Sequence, residues 1–355
     1  MSSYRYLDHI KLAPDRSKTN PRYEALDALR GLAALGVVFF HFVVYFDETY
    51  GFGQWNVSEW FLYEPLEALR YGPHFFYMIS GFVILMTIDR TRSASVFIKS
   101  RLIRIMPAFL VALSLASVVT YLWGSDIIHI RLMDVFINAL FLQGLVNRPH
   151  IDPAYWSLLV EMAFYLMAAS LMYGAHLRSK ISWVLWVWLG MTYIDIIFWQ
   201  KIDGGMAKVL DEIFIAEYSM YFIVGIVLYL THKNRKMAVN HKILLILSVP
   251  VILTGIPMPF GFYLTPMILV LWLAIKGKLD WLLAYRPLLW LGALSFPLYV
   301  IHQNIGTVLI HNMIKHGIPD IWSVLSATAL SLFLAQIIYS LIETPAQKWL
   351  KDRYL

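Results

Sequence analysis

Apolar residues in this chain gather into runs long enough to cross a bilayer, with short polar stretches between them. The runs cover about 26–46, 72–88, 102–123, 132–146, 154–175, 181–199, 213–231, 243–258, 261–276, 287–310 and 321–342. A helix rises about 1.5 Å per residue, so roughly 17–25 apolar residues carry it through about 30 Å of hydrocarbon. Backbone N–H and C=O groups find no water in that layer, and a helix satisfies them within itself. The pattern therefore predicts an all-α fold, a polytopic membrane helix bundle. The run 132–146 departs from the rest, being short and carrying Asp134 and Asn138.

Basic residues decide how the runs are threaded, because Lys and Arg accumulate on the cytoplasmic side of a membrane protein. If 132–146 does not cross, 22 of the 29 Lys and Arg residues lie on the side of the termini, six lie opposite, and Arg30 falls within a span. If it does cross, every later loop changes side and the split becomes 14 to 14. The bias predicts about ten transmembrane helices with both termini cytoplasmic, and places 132–146 at or dipping into the outer side. It also implies a cytoplasmic segment 1–25, a membrane domain 26–345 and a cytoplasmic tail 346–355. The first outer loop agrees, holding Asp47, Glu48, Glu59, Glu64 and Glu67 against Arg70 alone. A cleavable signal peptide is not expected, since the first 25 or so residues are polar and basic.

Composition narrows the function classes. With 59% hydrophobic and 15% charged residues, the chain has too much apolar surface for one soluble core. A net charge of +6 would suit nucleic acid, but the basic residues sit beside apolar runs, so topology accounts for them and no nucleic-acid partner is expected. There is no cysteine, which removes disulfides, thiolate metal sites and a cysteine-bound acyl intermediate. No metal is expected.

An ionisable group at bilayer depth costs about 2.5–3.5 kcal/mol, so each one is a candidate for function. Four stand out: Arg30, His41, Glu161 and His302. Arg30 and His41 share the first span, about 16 Å apart along its axis and close to one face. The ten-span threading puts His41, Glu161 and His302 at similar depth, in the outer half. A histidine with a carboxylate beside it can take a hydroxyl proton at neutral pH. Plainer roles stay open: a snorkelling anchor for Arg30, an interhelical hydrogen bond for His41, a buried pair for Glu161. A second, cytoplasmic cluster holds Arg101 and Arg104, three residues apart on one helix face. Guanidinium forks suit phosphate oxygens, although positive-inside bias alone would also place them there. Ser80 and Gly81 can either bring two helices close or admit a ligand chain.

Together these residues resemble the acyltransferase-3 family, multi-span bacterial enzymes that O-acylate surface carbohydrates and related acceptors. Arg30 and His41 match its Arg-x10-His signature, and Phe75 to Phe82 match its aromatic-x-Ser-Gly-Phe element. Arg101, Arg104 and Pro107 match its third-span motif, and Trp156, Ser157, Leu158 and Glu161 its Trp-Ser-Leu-x-x-Glu. Ser295 to His302 match its late serine-to-histidine element, and Glu343-Thr344-Pro345 its closing Glu-x-Pro. The resemblance covers nearly the whole chain.

It implies a ten-span core, His41 as the essential catalytic histidine and acyl-CoA, by default acetyl-CoA, as donor. Arg101 and Arg104 would receive the CoA phosphates at the inner face, with Arg30, Ser80 and Gly81 along the path of the pantetheine arm. Gly31, Gly36 and Gly81 would leave room for that arm. Glu161 or another acid would orient His41, with His302 in the catalytic group, and His41 would act either as a general base or by being acylated first. The acceptor would be a carbohydrate or a lipid-linked glycan, and the setting the lipid of a bacterial inner membrane. The rival from another class is a proton-coupled transporter of a glycan precursor, which would use the same buried histidines and acid and would show inverted repeats.

Overall fold

The computed structural model describes residues 21–197, 214–254 and 260–355, and among these every regular element is a helix. The predicted segment 1–25 up to residue 20, the loop 200–212 and the turn holding Pro257 and Pro259 lie outside the described residues. Seven of the described helices are long and apolar enough to cross a membrane: Glu24–Tyr50, Tyr63–Arg90, Ala94–Trp123, Pro153–Gly174, Leu177–Ile197, Arg286–Lys315 and Asp320–Tyr354. Val239–Thr254 and Phe260–Ile275 are shorter apolar helices. The chain is an integral membrane helix bundle.

The helices used below are α1 (Pro21–Phe39, continued by a π-turn at Phe40–Tyr45 and a last turn Phe46–Tyr50), α2 (Gly72–Arg90), α3 (Ala94–Trp123), α4 (Leu132–Ala139), α5 (Trp156–Ala169), α6 (Ile181–Ile197), α7 (Ser219–Asn234), α8 (Arg286–Lys315) and α9 (Asp320–Ile337). Helix α3 begins well before its apolar run does, because a polar cap starts it. Ser93 caps α3, its hydroxyl accepting the Val96 N–H at 3.3 Å. Helix α4 has only eight residues, about 12 Å, too little to cross. It lies with Asp134 and Asn138 buried while Leu132, Met133, Phe136 and Leu140 face outward.

Lipid is as apolar as leucine, so these helices associate through close packing and hydrogen bonds. Two glycine crossings provide it. Gly31 of α1 and Gly292 of α8 meet backbone to backbone: a Cβ on Gly31 would stand 2.5 Å from the Gly292 nitrogen. Gly81 of α2 and Gly225 of α7 do the same, a Cβ on Gly225 falling 1.9 Å from the Met78 carbonyl oxygen. Helix α8 is the axis of the bundle, packed against α1, α3 and α9, with 83% of its most apolar window buried. The α1–α8 crossing carries His41 to His302.

Candidate active site

His302 is fully buried on α8, and its Nδ1 faces the carbonyl oxygens of Tyr299 at 2.9 Å and Leu298 at 3.1 Å. Carbonyl oxygens only accept, so Nδ1 carries the proton. In the neutral ring Nε2 is then an acceptor, and it lies 2.8 Å from Nδ1 of His41. That nitrogen of His41 must donate. Its proton is thereby fixed on Nδ1, and the lone pair is left on Nε2. A backbone carbonyl thus sets the tautomer of one histidine, which sets the tautomer of the next. His41 is half-buried at the start of the π-turn in α1. One extra residue per turn there re-aims the side chains that follow, a device common at functional sites. Phe42 lies against Gly306, where a Cβ would come within 2.0 Å of its ring, and 5.9 Å from His302.

Glu161 is not beside this pair, contrary to the sequence expectation. Its Oε1 accepts from Ser80 Oγ at 2.7 Å and from the Tyr165 hydroxyl. The reason is register on α5, where Ser157, Glu161 and Tyr165 recur every four residues on one stripe. Ser157 is the member that reaches α8, its hydroxyl 2.7 Å from that of Tyr299. Glu161 therefore lies one turn further in, on the side of the arginines.

There Arg30, Arg101 and Arg104 converge. Arg30 lies within electrostatic reach of Arg104, Asp27, Glu161 and Tyr165, and Arg101 within reach of Tyr165, Arg104 and Glu161. Glu343 faces Arg104 and Arg30. Among the described residues none of the three arginines is in ion-pair contact with a carboxylate. Arg101 reaches Thr87 at 3.5 Å and Ser100 at 3.4 Å, and its buried Nη1 has no hydrogen-bond partner. Three guanidinium groups held together, with the Arg101 Nη1 donor unspent, have the chemistry that suits phosphate oxygens. Ser80 joins this cluster through its hydrogen bond to Glu161. Gly81 does not: its missing side chain is replaced by the Phe222 backbone, 2.3 Å from a built Cβ. Gly31 is likewise filled, by Leu291 and Gly292, and Gly36 faces Leu69. Of the two roles open to these glycines, the structure gives them helix packing.

A family model described as an acyltransferase domain, that of acyltransferase-3, matches residues 23–340. The chain belongs to the acyltransferase-3 family. No curated protein and no solved structure matches it. With its membrane-length helices it is a membrane acyltransferase.

Three parts of the candidate site of this acyltransferase were not singled out as site residues from sequence. Tyr299 and Ser157 bridge α8 to α5 beside His302. Tyr165 completes the Glu161 group. Asp152 is buried, and its carboxylate accepts the N–H of Ala154 and that of Asn304, each at 2.9 Å. This ties α8, two residues beyond His302, to the turn that starts α5. Burial pushes the Asp152 carboxyl up to about 7, against the pull of those two backbone N–H groups. An aspartate followed by proline at a helix start was its available signal.

Proposed function

We propose that this enzyme moves an acyl group, acetyl by default, from cytoplasmic acyl-CoA to a hydroxyl of a carbohydrate or lipid-linked glycan at the outer face of a bacterial inner membrane. The observation that carries the proposal is the fixed lone pair on His41 Nε2. It can take the acceptor's hydroxyl proton as the oxygen attacks the thioester carbon. The new C–O bond forms, the C–S bond breaks, and the proton passes from His41 to the departing CoA sulfur. His302 orients the base and shares its charge.

Donor binding falls to Arg30, Arg101 and Arg104, which suit the CoA phosphates, with Glu161 and Ser80 along the route toward His41. The about 16 Å between Arg30 and His41 is a length that an extended pantetheine arm can cover. Ten crossings with both termini cytoplasmic put the arginines inside and the histidines toward the outside. The seven long helices, together with Ser219–Asn234, Val239–Thr254 and Phe260–Ile275, supply that number of segments. Closure of the bundle around the thioester keeps water from hydrolysing it.

The test is binding and turnover of radiolabelled acetyl-CoA by purified protein in liposomes. Wild type should bind and transfer or hydrolyse the acetyl group. His41→Ala should bind without turnover, and Arg101→Ala with Arg104→Ala should bind weakly, with the loss greatest at low salt, where the attraction is least screened. A wild type with no affinity for acetyl-CoA would reject the reading.

A further inference from the structure

Gln303 follows His302 on α8. It is only 1% exposed, yet neither its amide nitrogen nor its amide oxygen has a hydrogen-bond partner. A buried amide with one end free costs about 1–3 kcal/mol, and here both ends are free, at membrane depth where no bulk water compensates. Nothing in the fold is served by this. A methionine or leucine would fill the same space at lower cost.

The surroundings indicate what the amide serves. Gln303 is four residues from Tyr299, so the two share a stripe of α8. That stripe faces α2 and α5, since the Tyr299 ring lies 5.7 Å from Phe76 and its hydroxyl reaches Ser157. The adjacent stripe carries His302 to His41. Gln303 therefore lies on the side of α8 toward α2 and α5, next in the chain to the histidine that holds the base. Its backbone is also clamped on both sides. His302 is held by His41, and Asn304 by Asp152 at its N–H and by the Ile151 carbonyl at its side chain. A rigid, desolvated, unspent N–H donor beside a general base is the arrangement that stabilises charge developing in a transition state.

We propose that Gln303 is a further catalytic residue, its amide N–H donating to the thioester carbonyl oxygen as that oxygen gains negative charge. The assignment rests on the acyl transfer proposed above. It supplies what His41 and His302 do not. They handle the proton, and the carbonyl oxygen takes up the electron pair displaced from the C=O bond until the C–S bond breaks.

The experiment compares wild type with Gln303→Met and Gln303→Leu in liposomes. It measures kcat for acetyl transfer or hydrolysis, Kd for acetyl-CoA, and Tm. Loss of one such donor lowers kcat by about 100-fold or more. That fall is expected in both variants, with Kd unchanged and Tm equal to or above wild type, because an unpaired buried amide has been removed. A kcat within about threefold of wild type would overturn the assignment, as would a loss carried by weaker acetyl-CoA binding or by a lower Tm in both variants. Those results leave the acyltransferase reading standing. An inactive wild type removes both.

Discussion

Which nitrogen of a histidine acts as a base is decided by what the other nitrogen touches. In this enzyme that partner is a second imidazole in place of an acid. A neutral ring fixes orientation as well as a carboxylate does, but it attracts an imidazolium less, so in the proposed reaction His41 returns its proton readily. The two histidines were legible in the sequence as ionisable groups at membrane depth. Their partnership was not, since it depends on the rotation of α8 against α1, which no spacing within one helix encodes. The same blindness put Glu161 beside His41 when it belongs with Ser80 and Tyr165. Asp152 offers a test at this scale. Its carboxyl titrates near 7 in the folded protein against an ordinary 3.8. Between those values the unfolded chain has released a proton that the native state keeps, so stability should fall as pH rises from about 4 to about 7 and level off above. Asp152→Asn should remove that contribution while losing one backbone hydrogen bond, about 1–3 kcal/mol. Thermal unfolding in detergent from pH 4.5 to 8, compared between the two proteins, checks both.

Helices α2 and α7 touch through glycines, and that contact holds α2, with Ser80, against the site. Gly225→Val should force the crossing apart and destabilise the protein by about 1–3 kcal/mol or more, because the added Cβ meets the Met78 carbonyl oxygen. Gly190→Ala in α6, where nothing lies within 4 Å, is the matched control and should leave Tm unchanged. The sequence showed where helices are, and even that 132–146 is unlike the others, since Asp134 and Asn138 share a face four residues apart. It did not show the π-turns in α1 or after α5. A hydrophobic periodicity averaged over a span does not register one inserted residue, although that residue sets where the side chains after His41 point.

At the scale of the molecule, the threading is the exposed statement. The chain has no cysteine, so single introduced thiols report sidedness cleanly. Ser125→Cys should react with a membrane-impermeant maleimide from outside, and Lys236→Cys only after permeabilisation; the reverse pattern would invert the bundle. The threading is read from charge bias, a property of whole loops, whereas the site required contacts between residues as far apart as His41 and His302, 261 positions in sequence. Helix α8 shows what that separation entails during synthesis. Enclosed by other helices, it is free to carry Ser295, His302, Gln303, Asn304 and Thr307, and its mean hydropathy of 1.3 is well below the 2.2 of α3. A segment so polar partitions weakly into lipid by itself, and the helix it pairs with was made near the start of the chain. Membrane integration of α8 then depends on α1 waiting to receive it. His41 meets His302 only at that docking, so in the proposed reaction a nascent or truncated chain cannot spend acyl donor before the bundle is complete.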